Sequence, residues 1–177
     1  MDYPQFWQLV DSARGDPDPA DRLAESLKEH ADADIIRFRL LYDDLMHAAN
    51  KVDLWGAART INGTCSDDEF FYFRDALIEM GREAFERAVG DPDSLAEIAE
   101  PGSRIQGSAW IESAPIAAWM MKTNMTEQAF YEAVDSVDAR SDRGDAEEGE
   151  WWDFADKAEV RHRLPRLATK FLRDSEE

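Results

Sequence analysis

Between Ile35 and Val52 the residues Ile35, Phe38, Tyr42, Leu45, Ala49 and Val52 recur at alternating steps of three and four, which lines one face of an α-helix. This is the longest helix the sequence predicts. Asp32 or Asp34 caps its start, while Arg39, Asp43 and Asp44 fall off the stripe and are expected in water. The same logic carries along the chain. Pro4 to Arg14 reads as a first short helix, with Pro4 at a position that needs no amide partner. Gly15-Asp16-Pro17-Asp18 ends it, and Asp18 caps a second helix that opens on Pro19 and runs to about His30.

Asp53 to Ile61 is expected to continue as a short helix after a bend eased by Gly56, and Asn62-Gly63 is a stop signal. Ser66 followed three residues later by Glu69 forms a capping box, and Asp67 and Asp68 add negative charge at the positive end of the helix dipole. Phe70, Phe73, Leu77 and Met80 give that helix a buried stripe, with a break at Gly81. A further helical turn or two spans Arg82 to Val89, and Asp93 or Ser94 starts a short helix to about Ala99. Pro115 to Met121 is apolar nearly all round and is expected to be a buried central helix. Thr126 caps the helix that follows.

These elements predict an all-α fold: one compact domain over residues 1–177, of about seven or eight helices, with the Ile35–Val52 and Asp67–Met80 helices at its centre. A minor strand pair near residues 103–112 is the alternative for the one stretch without a clear period. Residues 141–150 hold five acids and two glycines and are expected to form a flexible acidic loop. A 44% hydrophobic and 11% aromatic content is too high for a disordered chain. No apolar run approaches the roughly 20 residues that cross a bilayer, and the first residues lack the basic and apolar regions of a signal peptide. Cys65 is the only cysteine, which excludes an intrachain disulfide and a four-thiolate zinc site. A cytoplasmic protein without membrane contact is expected.

Charge narrows the partners. Asp and Glu number 39 against 20 Lys and Arg, a net of -19, so a broad nucleic-acid surface is disfavoured. The acidity suits solubility or a basic protein partner, such as the toxin blocked by an immunity-type inhibitor. The end of the chain inverts this balance: Lys157, Arg161, Arg163, Arg166, Lys170 and Arg173 stand against Glu159 and predict a local basic helix. Beside it, Trp151 and Trp152 offer aromatic anchors, so Trp151, Trp152, Arg161, Arg163 and Arg166 form one candidate partner-binding set. The alternative is self-neutralisation against the acidic body.

The run from Asp53 through Trp55-Gly56-Ala57-Ala58-Arg59, Asn62-Gly63-Thr64-Cys65-Ser66-Asp67-Asp68-Glu69 and Phe70-Phe71-Tyr72-Phe73-Arg74 resembles the signature of a bacterial family of unknown function, DUF4240. The resemblance extends through Gly81-Arg82-Glu83 and Asp91-Pro92-Asp93-Ser94-Leu95. It is similar at Phe6-Trp7 and at Leu164-Pro165-Arg166-Leu167, and weak between about Glu100 and Glu150. It implies a small helical protein and supplies no catalytic residue.

The residues that could carry chemistry crowd into this signature. Trp55, Asn62, Cys65, Asp67, Asp68, Tyr72, Arg74 and Arg82 place an indole, an amide, a thiol, carboxylates and guanidinium groups near one helix junction, as a small polar ligand would require. Arg74 and Arg82 together would suit a phosphate or carboxylate. Capping accounts for Asn62, Asp67 and Asp68 equally well, and Cys65 equally suits the core. No zinc spacing, His-Glu-x-x-His or phosphate loop is present, so no catalytic residue, metal or cofactor is expected. The favoured function is a non-enzymatic protein-interaction or regulatory module, with a small-ligand or enzymatic domain using Asn62, Cys65, Asp68 and Arg74 as the alternative. Oligomeric state stays open.

Overall fold

The computed structural model describes residues 1–138 and 147–172. The expected acidic loop therefore lies outside the described residues up to Ala146, as does Arg173. Ten α-helices and one 3-10 helix are present among the described residues, more than the seven or eight expected. They gather into two compact units: residues 1–47 with 109–138, and 48–108 with 147–172. The two helices expected at one centre belong to different units. No helix among the described residues is long and apolar enough to cross a membrane.

The first unit contains α1 (Tyr3–Ala13), α2 (Pro19–Lys28), α3 (Asp32–Ala48) up to His47, α7 (Trp110–Thr123) and α8 (Glu127–Val137). Its N-caps follow the sequence. Asp2 and Gln5 form a reciprocal box on α1, Asp18 accepts from Asp21 N, and Thr126 accepts from Ala129 N. Helix α2 packs along α7, α1 on α2, and α7 on α8. Phe6 and Phe38 meet at 4.5 Å between centroids, and Leu23, Leu27, Ile35, Tyr42 and Phe130 are fully buried. Each such side chain stabilises the unit by about 1.5–3 kcal/mol.

Two expectations for this unit are corrected. Arg39 is not in water: its side chain is 15% exposed, pairs with Asp43 at 2.9 Å and Glu112 at 3.5 Å, and lies over the Tyr42 and Tyr131 rings. An arginine stem buries readily when its head keeps acidic partners. Helix α7 begins at Trp110 rather than Pro115, which sits inside it. Nor is it buried throughout, because Met120 and Met121 remain exposed.

The second unit contains α4 (Val52–Asn62), α5 (Asp67–Glu79), α6 (Arg82–Gly90), a 3-10 helix (Pro92–Glu97), α9 (Lys157–Arg163) and α10 (Pro165–Phe171). The basic end is thus two short helices, split where Pro165 opens α10. Leu54, Phe70, Phe73, Leu77 and Ile78 are fully buried, and α10 packs against α4 and the 3-10 helix. Gly56 is not a bend. It lies inside α4, where a Cβ would meet Trp152 Cζ2 at 2.2 Å; the glycine makes room for an indole.

The strand pair near residues 103–112 is absent: no strand occurs among the described residues, and the β-type pairing found is an isolated parallel bridge between Lys51 and Glu148. The physical reason is that helices supply the partners of this segment. Asn62 bonds the backbone of Ile105, Gly107 N donates to Tyr72 O at 2.8 Å, and Ser108 N donates to the Glu79 carboxylate at 2.9 Å. Gly107 lies so close to α5 that a Cβ would be 2.3 Å from the buried Asp75 carboxylate.

Candidate functional site

The α4–α5 junction is built as the sequence predicts. Gly63 ends α4 in the left-handed conformation at φ 81°. Ser66 Oγ accepts from Glu69 N at 3.3 Å, and Ser66 N donates back to the Glu69 carboxylate at 2.9 Å, which completes the capping box. Asp67 and Asp68 stand exposed in the first turn of α5.

Tertiary contacts divide the remaining members. Asn62 turns its amide to Ile105, donating from Nδ2 to the carbonyl at 3.0 Å and accepting from the amide at 2.9 Å, as a neighbouring strand would. Trp55 Nε1 donates to Cys65 O at 3.3 Å, and its ring stacks on Phe70 with centroids 4.4 Å apart. Arg74 lies over the same Phe70 ring at 4.8 Å. So Trp55, Cys65 and Arg74 gather around Phe70, whereas Asn62 is drawn to Ile105. Tyr72 is 38% exposed with its ring edge against Phe71. Arg82 pairs with Glu86 at 2.8 Å one turn along α6, an exposed pair.

Electrostatics favour a structural role for this junction. Burial, helped by the Glu69 charge, pushes the Cys65 thiol up to about 11, so it stays protonated at neutral pH and is a poor nucleophile. The Ser66 amide, then the Arg104 guanidinium 2.7 Å away, hold the Glu69 carboxyl below its ordinary value. Glu69 also accepts from Thr64 Oγ1 at 3.1 Å. Glu69 and Arg104 therefore tie the junction together, and sequence reasoning missed Arg104 because it lies 35 residues away. Among the described residues, no three His, Cys, Asp or Glu side chains gather as metal ligands would.

The second candidate set lies on the last segment. Trp152 fills the space over Gly56, its Nε1 donates to Asp53 Oδ1 at 2.9 Å, and Arg163 covers its ring at 5.5 Å. Arg163 also pairs with Glu159 at 3.0 Å, Asp53 at 3.8 Å and Glu150 at 4.0 Å. Arg166 pairs with Asp91, with Asp93 at 3.1 Å and with Glu97 at 3.5 Å. Asp93, itself buried, accepts from the backbone amides of Arg166 and Leu167 at 2.9 and 2.8 Å, and so caps α10. Arg161 is exposed. Trp151 stands apart. Its indole is 53% exposed, propped by Trp55 at 5.5 Å and Phe154 at 5.3 Å. The residues missed here are Asp53, Gly56 and Asp93; the one signal for the notch was a glycine inside an otherwise good helix former run.

No curated protein and no solved structure matches the chain. A family model described as "Protein of unknown function (DUF4240)" matches residues 1–119, which takes in the α4–α5 junction and stops short of Trp151 and the basic helices. That match spans well over half of the 177 residues, and the chain belongs to the DUF4240 family.

Proposed function

We propose that the chain is a non-enzymatic protein-interaction module, and that Trp151 anchors its contact. The observation that carries this reading is the exposed Trp151 indole, held in place from beneath by Trp55 and Phe154. Large aromatic side chains presented rigidly at a surface are the residues that most often dominate protein interfaces. The polar groups that would serve a small ligand have internal partners instead: Asn62 holds Ile105, and the Cys65 thiol is protonated and half-buried. Arg163 and Arg166 are engaged with Asp53, Glu159, Asp91 and Asp93, which supports self-neutralisation of the basic end over docking by its charges.

A net charge of -19 favours a basic partner, with a basic toxin as one instance. The test uses the parent and a Trp151→Ala variant, both shown by thermal melts to be folded, as bait at low salt. A basic protein recovered by the parent is then purified and titrated against both. The reading expects the variant to bind at least about tenfold more weakly; equal affinity for both baits refutes it.

A further inference from the structure

Helix α7 carries apolar residues on nearly every side, a composition that suits a helix covered all round. Its own unit covers it only in part. Helices α2 and α8 pack against it, and Ile111, Ala114, Ala118 and Trp119 are buried. A strip is left over. Ile116 and Ala117 are half-buried, and Met120 and Met121 are 44% and 47% exposed. Met125, just past the left-handed cap Asn124, is 55% exposed. Steps of three and four from 116 and 117 to 120 and 121 keep these residues on one side of the helix. Methionine is unbranched and polarizable, which suits a contact that adapts to its occupant.

The surrounding charge selects the occupant. On α8, the packed neighbour, Glu127, Glu132 and Asp135 are exposed, and no lysine or arginine among the described residues forms an ion pair with them. Lys122, the cation at this end of α7, points elsewhere: its Nζ donates to His30 O at 2.7 Å and Lys28 O at 3.3 Å on the far end of α2. An apolar strip flanked by unneutralised carboxylates is complementary to a helix with one apolar and one basic face. A second copy of this chain, at net -19, and an anionic lipid surface are both repelled.

We propose that the strip Ile116, Met120, Met121 and Met125 docks a basic amphipathic helix of a partner protein, whose lysines or arginines face Glu127, Glu132 and Asp135. This goes beyond the Trp151 reading, because it concerns the other unit and uses none of the same residues.

The test is fluorescence anisotropy of a labelled synthetic amphipathic helix of leucine and lysine, titrated with the full chain. The parent is expected to bind it, with affinity falling as salt rises. The M120Q/M121Q/M125Q variant, whose changes are exposed and whose fold a thermal melt checks, is expected to lose at least about tenfold. The E127Q/E132Q/D135N variant is expected to lose most of the salt dependence. A leucine–glutamate helix is expected not to bind. Binding of the lysine helix by the three-glutamine variant as tight as by the parent overturns the proposal, since the attraction is then charge alone. No binding by the parent overturns it as well. Sedimentation that shows parent dimers abolished by the same three substitutions overturns it in favour of a second copy.

Discussion

Replacing Gly56 by alanine separates helix propensity from tertiary fit. In a helix interior this change ordinarily stabilises by about 1 kcal/mol. Here the new Cβ would lie 2.2 and 2.7 Å from Trp152 Cζ2 and Cη2 and 3.3 Å from Phe154 Cδ1. An indole is rigid and cannot fold away, so it must leave the notch. Leaving forfeits the Trp152 Nε1 bond to Asp53 and the Arg163 contact with the ring. The bond to a half-exposed carboxylate is worth about 1 kcal/mol, and the cation–π contact about 0.5–1 kcal/mol. Re-exposing part of a half-buried ring adds about 1 kcal/mol. Less the propensity gain, Gly56→Ala should destabilise by about 2 kcal/mol. In a Trp152→Ala background the clash is gone, and the same substitution should stabilise by about 1 kcal/mol. The coupling between the two positions is then about 3 kcal/mol. Urea denaturation of the four proteins of this cycle, followed by far-ultraviolet circular dichroism so that the lost indole does not disturb the signal, measures it. Equal effects of Gly56→Ala in both backgrounds would refute the notch.

Three further outcomes are expected. Asn62→Ala should cost about 2–4 kcal/mol, because it leaves the buried Ile105 N–H and C=O without their partner; hydrogen exchange at the Ile105 amide should accelerate with it, and unchanged protection there would show that the clamp is not what holds the segment. Glu69 has a folded pKa below its ordinary value, so its contribution is complete above the unfolded pKa and is lost as pH falls through the folded one. The melting temperature of the parent should therefore fall more steeply below about pH 4.3 than that of Glu69→Gln, and parallel profiles would contradict this. Cys65, with its thiol pushed up to about 11, should react slowly with iodoacetamide at neutral pH and faster only as pH approaches that value; rapid alkylation at pH 7 would count against its burial.

Much of the local structure was legible in the residues because caps act over a few positions. Asp18-Pro19, Asn62-Gly63, Ser66 with Glu69, and Thr126 each satisfy or end a helix through neighbours in sequence, and each does so in the fold. The candidate site was legible only as a list. Asn62 sits at the expected helix end, yet its amide is claimed by Ile105, 43 residues on, and no local pattern announces that bond. Arg166 announced itself by charge, but its partners Asp91 and Asp93 come from a turn some 75 and 73 residues earlier.

The sequence by itself determined that this chain is helical, where most of its helices start and stop, and that its surface is acidic, because periodicity, capping and charge are properties of short windows. Only the tertiary structure decided the division into two units, the irregular path of residues 101–109, the notch at Gly56 and the exposure of Trp151, Met120 and Met121. Those features depend on which segments meet. An amide, a missing Cβ or an apolar side chain takes its role from a neighbour that sequence distance does not reveal.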